Sequence, residues 1–166
     1  LTEAVYVYTG GVSGDLLSVT ADTESFRARE VLLRLGGVQR SLAEAEAEAT
    51  TDDQRATVES LSTVQRFLTQ ATDAQSWLID GHDALSEAYN DMDDGDIDAA
   101  ENGIETAETA AEEVDDPMAI VQDEMNAASA AVLDVVDETE YQNKVSQLAS
   151  EAEVLSTLAG EADDIR

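Results

Sequence analysis

Apolar residues recur along this chain at alternating steps of three and four, and the pattern holds for most of its 166 residues. Such spacing lays one stripe along a helix face, whereas a half-buried strand would alternate at every second residue. Between Leu61 and Met92 the stripe reads Leu61, Val64, Leu68, Ala71, Gln75, Leu78, His82, Leu85, Tyr89 and Met92. A second runs from Ile97 through Ala100, Ile104, Ala107, Ala111, Val114, Met118, Val121, Met125, Ala128 and Val132 to Val135. Each lasts four heptads or more, the habit of coiled-coil a/d seams. An earlier stripe from Leu17 to Ala49 is interrupted only by Glu24, and a last one links Tyr141, Val145, Leu148, Ala152, Leu155, Ala159 and Ala162.

Punctuation between the stripes predicts four helices, at about 14–49, 53–92, 96–136 and 138–164. Ser13-Gly14-Asp15 and Thr51-Asp52-Asp53 are N-terminal caps, and Asp137 with Glu140 spells a capping box. Asp94-Gly95-Asp96 turns the chain between the middle pair, while Pro117, inside a stripe that keeps its phase, predicts a kink rather than a break. Short connections make successive helices antiparallel. The expectation is an all-α, elongated, up-down-up-down four-helix bundle forming a single domain over 13–166. Residues 1–12 precede it as a linker or short helix ending at Gly10-Gly11.

Charge changes the picture of where such a bundle works. Thirty-eight acidic residues face seven arginines and a single lysine, Lys144, for a net charge of −30. At ordinary ionic strength these charges repel one another across a Debye length of ~8 Å, which shrinks to ~3 Å in molar salt. Acid excess combined with lysine depletion is a halophilic, haloarchaeal-like composition. It disfavours nucleic acid and anionic lipid as partners and leaves hydrated salt cations at the surface. The chain lacks cysteine, so thiol chemistry and zinc–thiolate sites are excluded. No run of ~20 apolar residues is present to span a bilayer. A first residue other than methionine, Leu1, suggests an upstream segment and an extracytoplasmic, secreted or anchored setting; the cytoplasm of a salt-accumulating halophile is the alternative.

Candidate chemistry is sparse. His82, the sole histidine, falls in a core stripe one heptad after Gln75, and both are expected to be buried polar residues that set helix register. The segment Asn90–Glu101 partly matches a calcium-binding EF-hand loop, with Gly95 at its sixth position, but Met92 stands where an oxygen ligand belongs. A solvated turn is the better reading, and no metal or cofactor is expected. Trp77 with Phe67 on a flanking stripe, and Val5, Tyr6 and Tyr8 before the first helix, are the candidate contact patches. Arg27 and Arg34, one heptad apart, would lie at their rim or pair with neighbouring acids. Six arginines crowd the first 66 residues beside 11 acids, whereas the other 100 residues carry 27 acids. Phosphate-binding loops, dinucleotide fingerprints and nucleophile elbows are missing from the sequence. The reading is therefore a non-catalytic scaffold or interaction module that binds a protein partner or itself. A ligand-sensing ectodomain of a membrane receptor is the alternative.

Overall fold

The computed structural model describes residues 1–11, 15–117, 119–120 and 138–165. Those residues form an all-helical protein of five helices packed together: α1 Thr2–Tyr8, α2 Ala28–Glu48, α3 Asp52–Asp94, α4 Ile97–Glu113 and α5 Glu138–Ile165. A 3-10 turn, Leu16–Ser18, lies between α1 and α2 and packs on α5.

α3 is the axis of the molecule, 43 residues long, or about 64 Å at 1.5 Å per residue. Its start is fixed by reciprocal bonds: Gln54 N–H donates to the Thr51 hydroxyl, and the Gln54 side-chain oxygen accepts from Thr51 N–H. Its end is fixed by Gly95, whose φ of +80° is a left-handed conformation that suits glycine. Asp96 then caps α4 by accepting from Ala99 N–H. This two-residue connection folds α4 back along α3, where Gly103 meets Ala84 and Ala88 while Gly81 meets Ala107 and Ala110. Small residues thus let the two backbones approach closely. α5 runs in the direction of α3, as the successive contacts Phe67–Tyr141, Gln75–Lys144 and Gly81–Leu155 show.

The N-terminal quarter departs from expectation. No continuous helix spans 14–49; residues 19–27 are irregular, and α2 begins at Ala28. Asp15 accepts from Leu17 N–H and so caps the 3-10 turn instead of a long helix, and the Thr23 hydroxyl accepts from Thr20 N–H to turn the chain again. Such side-chain bonds offer the backbone an alternative to the helix. Of the two expectations for residues 1–12, the short helix is the one present: α1 buries Ala4, Val5, Val7 and Tyr8 and packs on α2.

Of the predicted third helix, 96–136, the structure describes the part up to 120, apart from residue 118, with an interruption near Pro117. α4 ends at Glu113, Val114 keeps right-handed helical angles, and 115–117 are again helical. Pro117 explains the position, since it lacks the N–H that would bond the Glu113 carbonyl and its ring crowds that carbonyl. Most of the remaining stripe, 121–137, falls outside the described residues, as does Asp137 of the expected capping box. Glu140 has another use: its Oε1 accepts from Leu16 N–H at 2.7 Å.

His82 also departs from expectation, since it is exposed. The cause is the length of α2. Its C-terminal end lies beside the start of α3, where Ala45 and Ala49 share a cleft with Asp53, Thr57 and Val58. Twenty-one residues reach back only about 30 Å, so α2 ends well short of residue 82. The stripe position is right, but among the described residues no helix covers it.

Candidate functional site

The most heavily built polar cluster surrounds Lys144, the only lysine, which is fully buried between α3, α5 and the irregular N-terminal segment. α5 places it one turn after Tyr141 and one before Leu148, in the apolar stripe itself. Its ammonium donates to the Val19 carbonyl at 2.7 Å, to Gln75 Oε1 at 2.6 Å and to Gln147 Oε1 at 3.1 Å. Three donors meet three acceptors, as burying a charge requires. The Tyr8 ring of α1 lies 5.6 Å from the nitrogen and adds a cation–π contact. Tyr8 in turn meets Phe26 edge to face at 5.1 Å.

Gln147 extends the cluster. Its amide donates to the Val19 carbonyl and to Glu151 Oε1, at 3.2 and 3.0 Å, thereby relaying between the ammonium and a carboxylate one turn further along α5. Burial pulls Lys144 down to about 8, while the charges of Glu151 and Asp15 oppose the shift. Burial likewise raises the Glu151 carboxyl, against the Lys144 charge and hydrogen bonds from Gln147, Gln75 and the Ala21 backbone. Gln75 Nε2 and Glu151 Oε2 are nonetheless buried without a partner in good hydrogen-bond geometry. The Tyr8 phenol is raised by burial and then by Glu151.

Beside this cluster opens a pocket of about 150 Å³, lined by Ala21, His82, Leu85, Ser150, Glu151, Val154, Leu155 and Leu158. Val154 and Leu158 are exposed on α5. Glu151 belongs to both the polar cluster and the pocket. His82 stands near Asp22 of the N-terminal turn, whose carboxyl is lowered chiefly by its hydrogen bond from Thr20 and, more weakly, by His82.

The sequence-predicted residues divide. Gln75 is fully buried, as expected of a core polar residue, and accepts from Lys144. Phe67, Val5 and Tyr8 are core residues and cannot form an outer contact patch: Phe67 packs on Tyr141, and α1 folds its apolar face inward. Trp77 is 39% exposed and Tyr6 59% exposed. Trp77 lines a cleft between α3 and α4 with Asp80, Asn102, Glu105 and Thr106. Glu30 of α2 pairs with both Arg27 and Arg34, and Arg34 also reaches Glu3 of α1 at 3.3 Å. Arg34 therefore ties α1 to α2, while Arg27 pairs locally at the start of α2. The calcium-loop resemblance falls across the end of α3 and the start of α4, so its first five positions and its last five lie on helices. Among the described residues, no group of three or more His, Asp or Glu side chains could hold a metal ion, and no helix is long and apolar enough to cross a membrane.

Lys144 and Glu151 were not singled out by the sequence reading. The signal was present: one lysine in a lysine-depleted chain, three residues after one stripe tyrosine and four before a stripe leucine. Comparisons with family models, curated proteins and solved structures return no match.

Proposed function

We propose that this chain is a non-catalytic helical scaffold or interaction module of an extreme halophile, working outside the cytoplasm in anchored or secreted form. The observation that carries the proposal is the use made of its one buried cation. Lys144 spends its three donors on a backbone carbonyl and two glutamines, holding the N-terminal segment against α3 and α5. An amine fully shielded in that way serves cohesion rather than chemistry on a substrate. The finer architecture belongs to the same proposal. α2, α3, α4 and α5 would be the four members of an elongated up-down-up-down bundle with coiled-coil-like a/d seams.

Partner binding or self-association would then depend on apolar contact, which strong salt reinforces while it screens charge. Trp77 and Tyr6 are the members of the two sequence-derived patches that reach the surface. Sedimentation velocity in ~0.1 M and ~3 M KCl tests the reading. The chain should be compact and helical chiefly at the higher salt, and Trp77→Ala or Tyr6→Ser should weaken association there. Equal stability at both salts would remove the halophile argument, and association indifferent to both substitutions would remove these contacts. The ligand-sensing reading draws support from one feature, the pocket beside Glu151.

A further inference from the structure

We propose that the pocket between α3, α5 and the N-terminal turn binds a small organic cation with an apolar body, an amine, held by the Glu151 carboxylate and the walls of Leu85, Val154, Leu155 and Leu158. Size is the first argument. A volume of about 150 Å³ matches the apolar cavities that accept a benzene ring, of ~150 Å³. Lining is the second. Five of the eight lining residues are Ala21, Leu85, Val154, Leu155 and Leu158, which leaves little to recognise a sugar or a peptide backbone.

Charge selects the sign of the ligand. The ionisable residues at the pocket are Glu151 from α5 and His82 from α3, with Asp22 of the N-terminal turn near His82. Lys144 lies behind Glu151, but its donors are taken by Val19, Gln75 and Gln147. On the carboxylate, Gln147 bonds Oε1, while Gln75 and the Ala21 backbone are the polar neighbours of the buried remainder, none of them carrying a charge. A carboxylate at the edge of an apolar pocket favours a cationic partner, since hydrogen bonds from a charged N–H to an ionised acceptor are the strong ones. An anionic ligand would instead meet the Glu151 and Asp22 carboxylates on a chain of net charge −30.

The test uses the whole chain in molar KCl. His82 is the only histidine, so its ring Cε1–H gives a single proton resonance at the pocket. Benzylammonium, toluene and benzoate are titrated in turn. Benzylammonium should shift the His82 resonance saturably and bind at least threefold more tightly than toluene, with no saturable shift from benzoate. Glu151→Gln should reduce benzylammonium to the affinity of toluene. Leu158→Trp, a change at an exposed position that fills the pocket, should abolish both shifts without altering helicity. No saturable shift, benzoate binding as well as benzylammonium, or binding that survives Leu158→Trp would each overturn the proposal. Ligand binding here does not depend on the interaction reading. Failure at the pocket would leave association through Trp77 or Tyr6 intact, and loss of that association would leave this titration unchanged.

Discussion

α3 is packed in two different ways on its two sides. Against α4 it presents glycine and alanine, and the fit is so close that a methyl group at Gly103 would lie 2.8 Å from Ala88 Cβ and 2.9 Å from the Ala84 carbonyl oxygen. Of the 17 residues of α4, five are buried, four of them alanines. On the other side α2 buries only Val31 and Leu35 among 21 residues, and an added Cβ at Gly36 or Gly37 would meet nothing within 4 Å. The N-terminal quarter adds polar fastening to the apolar burial of α1, Leu16 and Val19: Lys144 and Gln147 grip the Val19 carbonyl, Glu140 takes Leu16 N–H, and Arg34 ties α1 to α2. A chain with few large side chains can close one interface by bringing backbones together. Where the backbone is irregular it has no repeating surface to interlock, and its free carbonyls need donors.

This contrast is sharpest under substitution. Gly103→Val should cost most, about 3 kcal/mol of stability, because the branched side chain meets a backbone oxygen that cannot rotate away. Chemical unfolding in molar salt measures it, and a loss below ~1 kcal/mol would mean that the α3–α4 seam can separate cheaply. The same experiment on the loose side should give a small gain. Gly36→Ala enters open space within a helix, and the better helix propensity of alanine is worth up to about 1 kcal/mol. A loss there would indicate that α2 is packed more tightly than its burial suggests.

The sequence disclosed the regular half of the molecule better than the irregular half, for physical reasons. In α3 the apolar period, the Thr51 cap and the Gly95 turn all act locally and agree, so its course was legible from Thr51 to Gly95. Residues 15–27 carry an apolar spacing compatible with a helix, yet local bonds at Asp15 and Thr23, together with contacts more than a hundred residues away, hold them otherwise. Such distant partners leave no periodic trace. His82 failed in a related way, because spacing reports which face a residue occupies but not whether another helix extends far enough to cover it. Lys144 was passed over because a lysine in a stripe reads as an interruption, whereas here its stem packs in the core and its ammonium finds three acceptors.

The central claim, that the lone lysine is a buried structural cation, is tested most directly by the pH dependence of unfolding for the native chain and Lys144→Met in ~3 M KCl. Burial holds Lys144 near 8 in the folded protein, below its ordinary value of 10.5. Between those two values the unfolded chain binds more protons, so stability should rise with pH. Above pH ~10 the opposite effect begins. Tyr8 and Tyr141 are raised by burial, so unfolding then lets their phenols ionise. The native chain should therefore gain about 2 kcal/mol between pH 8 and 10, and Lys144→Met should lose that gain while its residues 15–27 exchange amide protons faster. Parallel pH profiles for the two proteins, with unchanged exchange in that segment, would contradict the account.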